Sequence, residues 1–296
     1  MSVKSISIFC FVLCLMSCTR QPKYAYAIQA TSNSIEDSTL ERLKQRLQTI
    51  TGTGEVRVTK ENDTDISINF KSSAIDSIVR DIITTKGNLS FYETKKYIDI
   101  YQVTDTLHKM ISSDTVYLEN AFLPSVYSSD IGTVDVRDTI IFNKLLNTSE
   151  INHILHKEKL RIKFAWGTRN PGTSLVPLYA LDIGVKRQPA MYGNIISQVK
   201  AGRNQIGRPS ILISMEGLQA EKWERLTRRA AEANTAIAIV IDGTVVMAPV
   251  VSQAIQGGKA EISGNLKERE VFALAVILES GPIQQLEIVQ FDKQVL

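Results

Sequence analysis

Apolar residues recur at strand and helix spacings in two regions of the chain, and both regions predict the same order of elements. The first region predicts a strand, a helix, two alternating strands, a second helix and a closing strand. These elements lie at 24–30, 38–50, 55–59, 65–70, 73–85 and 89–92. The order β-α-β-β-α-β is that of a ferredoxin-like unit, which we assign to residues 24–94.

The second region, which we assign to residues 208–292, repeats this order without similarity of sequence. Its predicted elements lie at 210–215, 218–230, 236–241, 244–251, 265–278 and 285–291. Two of these strands flank Asp242-Gly243 in the run AIAIVIDGTVVMAPVV, and Asp-Gly between apolar strands predicts a hairpin with a type I′ turn. Asn265, followed three residues later by Glu268, predicts the N-terminal cap of the last helix.

The segment between the two units, residues 95–207, is patterned less regularly. It has polar stretches, one amphipathic stretch at 142–155 and apolar pieces at 161–166 and 175–181. We therefore predict an α+β protein in which two ferredoxin-like units flank a mixed, partly ordered insert.

The first residues, MSVKSISIFCFVLCLMSC, have the composition of a secretory signal. Lys4 precedes a short apolar stretch, and Leu15 to Cys18 resembles the lipobox of bacterial lipoproteins. This resemblance implies that residues 1–17 are removed, that Cys18 carries the lipid, and that 18–23 form a tether. An ordinary signal peptide with an incidental cysteine is the alternative.

Cysteine usage agrees with a lipid anchor. The chain has three cysteines, Cys10, Cys14 and Cys18, of which cleavage would leave only Cys18. The folded part is then expected to contain neither disulfides nor thiolate metal ligands. Because no later run of eighteen apolar residues occurs, we expect the mature protein to be held at a membrane by lipid alone.

Composition and motifs argue against nucleic-acid binding and against catalysis. The 34 basic residues nearly balance the 31 acidic ones and form no cluster beside stacking aromatic residues. His153 and His156 have a spacing that metal ligands can use, but no third ligand is suggested, so surface histidines are the simpler interpretation. No pattern combines a nucleophile, a base and an orienting group. We predict no enzyme activity, no metal and no cofactor.

The helix predicted after residue 218 has an apolar and a basic side. Trp223 and Leu226 share the apolar side and should be core residues. The basic side carries Arg225, Arg228 and Arg229. A solvated face is the simpler interpretation of these arginines, and a docking patch for an acidic partner is the alternative.

Residues 213–283 contain the segments SMEG (214–217), KWERLT (222–227), AIAIVIDGTVVMAPVV, IQGG (255–258), ISGN (262–265) and LESGP (278–282). In their order and spacing these segments resemble the periplasmic head region of SecD, the accessory subunit of the bacterial Sec protein-export machinery. Weaker similarities at 42–52, 89–94, 162–167 and 178–181 extend the resemblance over nearly all of residues 24–292.

The resemblance implies roles for the turn residues of this region. Two apolar strands across Asp242 and Gly243 would build the centre of a sheet. Pro249, which has no N–H to donate, should lie at an edge or a strand end. Three glycines and the capping residue would allow the chain to bend between strand and helix. These are Gly257, Gly258, Gly264 and Asn265.

Three features depart from SecD, the first being RRAAEANTA at 228–236, where the family has a shorter segment. The Asp-Leu-x-Gly-Gly motif that follows its first transmembrane helix is missing, and this sequence ends at Leu296, where SecD would enter its transmembrane helices. Those helices carry the proton-coupled movement, so we expect this chain to lack the motor.

The resemblance implies a non-catalytic protein of the bacterial envelope, on the periplasmic side, that binds exported polypeptide, a Sec translocase component or another envelope protein. An exposed sheet edge could bind a peptide by strand addition. Thr19 rather than Asp after Cys18 favours anchoring in the outer rather than the inner membrane. A structural envelope lipoprotein, a scaffold unrelated to translocation, is the alternative function, and an envelope enzyme is a third.

Substitution of the lipobox cysteine tests the anchor. In Cys18→Ser we expect lipidation to be lost, because the acyl chains attach to this thiol, so that precursor or soluble periplasmic product accumulates. Mass spectrometry of the wild-type N-terminus is the direct measurement. Cys14→Ser, four residues earlier, is the matched control and should be lipidated normally. An unmodified cysteine or cleavage elsewhere would refute the anchor.

Overall fold

The computed structural model describes residues 21–52, 54–112, 122–264 and 266–296. Contacts divide the chain into two compact units. Unit 1 comprises the described residues up to Gly87 together with Ala201–Pro209 and Lys267–Leu296, and unit 2 comprises Asn88–Lys200 and Ser210–Leu266. None of the helices in the described ranges is long and apolar enough to cross a membrane.

Helices and strands mix throughout the chain, as predicted for an α+β protein. The helices are α1 (Asp37–Thr51), α2 (Asp76–Thr84), α3 (Tyr101–Ser112), α4 (Thr139–Leu146), α5 (Ser149–Lys157), α6 (Leu218–Glu232) and α7 (Glu268–Ser280). The strands are β1 (Tyr24–Thr31), β2 (Val56–Lys60), β3 (Asp65–Ser72), β4 (Leu89–Lys95), β5 (Leu123–Pro124), β6 (Gly132–Asp135), β7 (Ile162–Trp166), β8 (Leu175–Asp182), β9 (Met191–Tyr192), β10 (Gln198–Arg203), β11 (Pro209–Ser214), β12 (Ile237–Ile241), β13 (Thr244–Met247), β14 (Lys259–Ile262) and β15 (Glu287–Val295).

Unit 1 is an antiparallel sheet with helices packed on one face. The strand order is β15-β1-β3-β2. Alternate residues of β1 and β3, among them Ile28 and Ile68, are buried against apolar residues of α1, α2 and α7. The period-2 burial follows from the alternation of side chains across a strand, which the sequence pattern had indicated.

The strand that closes this sheet is not the one that the sequence suggested. Residues 89–94 were expected to close the N-terminal unit, but β4 pairs with β12 and β8 in unit 2. The place beside β1 is taken by β15, which was assigned to the C-terminal unit. Phe91 and Tyr92, adjacent in β4, are both buried, which suits an inner strand, whereas most of β15 is exposed and suits an edge.

Unit 2 contains a larger sheet of order β13-β12-β4-β8-β6-β5, in which β7 also pairs with β8 and β9 with β4. A second sheet has the order β10-β11-β14. The described residues of the predicted insert have a core of their own, to which α3, α4, α5, β6, β7 and β8 contribute. The insert therefore does not simply separate two sheets, because its strand β8 pairs with β4 in the same sheet as β12.

The prediction that Trp223 and Leu226 are core residues is confirmed, since each is 3% exposed. The Trp223 ring meets Phe91 edge-on, with 5.2 Å between ring centroids. Its indole N–H donates a hydrogen bond to the backbone carbonyl of Lys259 at 3.0 Å. Helix α6 is thereby fixed to both β4 and β14.

One buried arginine links three segments of unit 1. Arg46 of α1 is fully buried, and its Nε donates to the Ser280 hydroxyl at 2.8 Å. Its Nη1 and Nη2 donate to four backbone carbonyls at 2.6–3.0 Å, those of Ile82, Thr85, Lys86 and Gly281. A guanidinium has five N–H donors in a rigid fork, and these contacts use all of them.

Replacement of Arg46 tests this link. In Arg46→Lys, three ammonium donors cannot serve five acceptors, and buried carbonyls are left unpaired. We expect unit 1 to lose about 3–5 kcal/mol of unfolding free energy. Hydrogen exchange measured by mass spectrometry would show faster exchange in β1, β3 and β15. The matched control is Lys44→Met on the exposed side of α1, which should change the free energy by less than about 0.5 kcal/mol. Unchanged protection in Arg46→Lys would show that the contacts are dispensable.

Candidate functional site

The hairpin of β12 and β13, which carries the most specific sequence motif, has the predicted turn. The backbone φ angles of Asp242 and Gly243 are 49° and 86°, so both central residues are in the left-handed region that a type I′ turn requires. Every residue of β12 is buried, and this strand lies inside the sheet between β4 and β13. β13 is the last strand of the order, so only half of the hairpin is central.

Asp242 has a second contact, which the sequence did not indicate. Its backbone N–H donates to the carbonyl of Asn88 at 3.0 Å, and its Oδ1 accepts from the N–H of Asn88 at 2.8 Å. The turn is thus tied to the residue that precedes β4. Because the two residues are 154 positions apart, no local pattern could have revealed this contact. Asp242 has a structural role.

Pro249 lies two residues beyond the end of β13, and its carbonyl accepts a hydrogen bond from Ile237 N–H at 3.1 Å. The edge of β13 that faces away from β12 already has backbone partners. Gly167 forms a parallel bridge to Val245, and Thr168 N–H donates to the Val245 carbonyl at 3.1 Å. These contacts argue against strand addition at the hairpin edge, which the sequence had left open.

The glycines after the hairpin occupy conformations that suit glycine. Gly257 and Gly258 have φ angles of 72° and 63°. A Cβ on Gly258 would lie 2.2 Å from the Met215 carbonyl oxygen and 2.7 Å from the Cβ of Ala220, so the backbone approaches the start of α6 too closely for a side chain. Gly257 and Gly264 face open space.

Two predicted site residues, Cys18 and Asn265, lie outside the described residues. The last helix begins later than predicted, at Glu268, and its N-cap residue is Lys267. The backbone N–H of Lys267 donates to Glu270 Oε2 at 2.9 Å. The prediction that Asn265 and Glu268 form the cap is therefore wrong. A Glu three residues after the cap is present, but two positions further along the chain.

The arginines of α6 are engaged in ion pairs. Arg225 pairs with Glu221 at 3.6 Å, and Arg228 pairs with Glu224, both one turn away. Arg229 donates from Nε to Glu93 on β4 at 2.8 Å, and this hydrogen bond raises the pKa of the guanidinium. These contacts favour the solvated-face interpretation over a docking patch.

The two histidines with metal-ligand spacing, His153 and His156, are both exposed on α5. Across the part of the chain that the structure describes, no three His, Cys, Asp or Glu residues are grouped so as to hold a metal ion. Buried carboxylates do occur, and Asp135 is one of them. Hydrogen bonds from Arg137 and Ser174 hold the pKa of Asp135 well below its usual range. The same hydrogen bonds fix the turn at 136–138 that precedes α4.

A pair of glycine substitutions separates close packing from backbone strain. Gly257→Ala places a Cβ in open space at positive φ and should cost about 1 kcal/mol. Gly258→Ala has a similar φ but also meets backbone at 2.2 Å, so we expect at least about 2 kcal/mol more. Thermal unfolding of the two variants gives the comparison. Equal losses would show that α6 and residue 258 are not in tight contact.

A family model matches this part of the chain. Residues 177–285 match the model described as SecDF, P1 head subdomain. The match begins in β8, inside the segment predicted to be an insert. The match therefore begins further towards the N-terminus than the resemblance over 213–283 had suggested.

Sequence relatives agree with the family model. The chain is 31% identical to the protein translocase subunit SecD of Rhodothermus marinus over 154 residues, which covers 51% of this chain and 24% of that protein. It is 36% identical to the protein translocase subunit SecDF of Thermus thermophilus over 95 residues, which covers 32% of this chain and 13% of that protein. The chain thus spans about a quarter or less of the length of these relatives.

Solved structures show the same fold over most of the chain. A crystal structure of SecDF in a super-membrane-facing form superposes with a TM-score of 0.55 at 19% identity, over 91% of this chain and 30% of that one. A second structure, described as a membrane component SecDF that enhances protein export, gives 0.50 at 20% identity, over 89% of this chain and 98% of that one. The predicted resemblance is confirmed: the chain is similar to SecD and SecDF proteins, and residues 177–285 match the P1 head subdomain model.

Proposed function

We propose that this protein is a lipid-anchored relative of the SecD periplasmic domain that binds exported polypeptide, or a translocase or envelope component, during protein export. The observation that carries the proposal is the match of residues 177–285 to the P1 head subdomain. Relatives are named protein translocase subunits, and one solved relative is described as enhancing protein export. The proposal transfers the polypeptide-engaging role alone, because the chain covers about a quarter or less of the named translocase subunits.

In this proposal the protein is not an enzyme. It acts on the periplasmic side of the envelope and is held by lipid on Cys18, preferentially in the outer membrane. It binds its polypeptide or protein partner with weak to moderate affinity. A dissociation constant near 1 µM corresponds to about −8 kcal/mol, which a single groove or surface on a small domain can supply. The head subdomain and the insert are the expected contact surface, since loops on a rigid scaffold often carry binding residues.

Two exposed positions of unit 2 are suited to a crosslinking test. Gln253 lies in the loop between β13 and β14, and Tyr127 lies fully exposed in the insert. A photo-crosslinking residue at either position, in the full-length protein in cells with active export, should capture exported chains or a translocase subunit. We expect capture to rise when export is slowed, because more chains are then in transit.

A crosslinker at Gln48, exposed on α1 of unit 1 and outside both the family match and the insert, is the matched control and should capture less. If neither Gln253 nor Tyr127 captures an exported chain or a translocase subunit, and the captured proteins are envelope proteins with no part in export, the translocation role is wrong and the scaffold function replaces it.

A further inference from the structure

The face of the unit 1 sheet that lies opposite the helices carries small and polar side chains. Along β1, Tyr26 and Ile28 are buried towards the helices, and Ala25 and Ala27 point the other way. Along β3, Asn69 points away from the helices and is exposed. The strand register fixes which of these outward side chains are neighbours on the face.

The register places the outward residues in two rows across the sheet. In one row Ala25 has Gln294 on one side and Lys71 on the other. In the next row Ala27 has Asp292 on one side and Asn69 on the other, and Arg57 lies beyond Asn69. Each row therefore has an alanine at its centre and longer side chains on both flanks.

The result is a trough along β1, with a floor of two alanines and polar walls. We define the trough by Ala25, Ala27, Arg57, Asn69, Lys71, Asp292 and Gln294, all of which line a shallow cavity of about 460 Å³ that Pro22 and Gly54 also border. Because neighbouring strands are about 4.8 Å apart, the walls are separated by roughly 10 Å, which admits one extended chain.

The chemistry of the walls fits a peptide backbone. The amides of Asn69 and Gln294 each carry donors and acceptors, and a backbone offers one donor and one acceptor per residue. The formal charges nearly cancel. Arg57 is paired with the neighbouring Glu55 at 2.9 Å, and Lys71 and Asp292 lie on opposite walls in adjacent rows. A balanced surface does not select an anionic lipid headgroup, which recruits clustered basic residues.

We propose that the trough binds a short extended segment of unfolded polypeptide, mainly through the backbone of that segment. The methyl floor at Ala25 and Ala27 lets the bound chain approach the sheet. The polar walls pair with its N–H and C=O groups, so binding is tolerant of sequence. This inference rests on the proposed function, in which exported polypeptide is the client, and adds a binding site in unit 1 outside the head subdomain.

Filling the trough should abolish binding. The probe is a fluorescein-labelled peptide of five Ser-Thr-Ala repeats, measured by fluorescence anisotropy against the full-length protein in detergent. We expect Ala27→Trp to weaken binding at least about tenfold, because the indole occupies the floor. Gln48→Trp, on the exposed side of α1, is the matched control and should leave the affinity unchanged.

A second measurement covers the case in which Ala27→Trp does not fold. A photo-crosslinking residue at Asn69 or Gln294, both exposed wall positions, should label the peptide, and one at Gln48 should not. Labelling from the walls supports the trough, and equal labelling from the wall and control positions overturns it. A folded Ala27→Trp that binds with wild-type affinity also overturns the proposal.

Membrane binding is the competing outcome. Vesicles of phosphatidylcholine containing phosphatidylglycerol are titrated with wild type and with Lys71→Ala. If vesicles bind in a Lys71-dependent manner and the peptide does not bind, the trough is a membrane contact and the proposal is wrong. The crosslinks from Gln253 and Tyr127 test the proposed function separately. Failure of the trough variants with successful crosslinks there would remove only this inference.

Discussion

The buried guanidinium of Arg46 is the contact on which unit 1 depends. It lies on α1, but its acceptors belong to the end of α2 and to the end of α7, two segments almost two hundred residues apart in sequence. Gly87 makes room for it, because a Cβ there would lie 3.1 Å from Arg46 Nη2 and 2.6 Å from Ile277. Satisfying five donors at once requires all three segments to be in place, so the interaction specifies their arrangement as well as stabilising it.

The same contact explains how the sheet of unit 1 is completed. After α2 the chain leaves this unit and, apart from Ala201–Pro209, it returns only through α7 and β15, which pairs along the whole of β1. Unit 1 is thus built from both ends of the chain, while the residues that match the P1 head subdomain fall mainly in unit 2. A long excursion between α2 and α7 adds little to the loop-closure entropy, which grows only slowly with loop length.

Local features of the fold could be predicted from sequence and long-range pairings could not. Asp242-Gly243 specifies its own turn, and the spacing of Trp223 and Leu226 specifies the buried side of α6. The partners of β4 were wrongly predicted, because the order β-α-β-β-α-β gives the succession of strands along the chain but not which strands pair with each other. The contact of Asp242 with Asn88 was missed for the same reason. In the candidate site, the turn was therefore predictable and its attachment to β4 was not.

The outer edges of β13 and β15 are poorly suited to strand addition, which favours the open face of the unit 1 sheet as the proposed binding surface. At β13 the outer edge is engaged by residues 167 and 168. At β15 the register with β1 shifts between Gln29 and Ala30, and Lys293 is held 3.8 Å from the Tyr24 ring centroid and 2.7 Å from Asp76 Oδ1. Irregular register and an edge lysine are devices that discourage strand addition. Pro22, which borders the trough, is four positions after Cys18, a reach of at most about 14 Å. Under the proposed lipid anchor, the trough would therefore stay within reach of the membrane that holds the lipid.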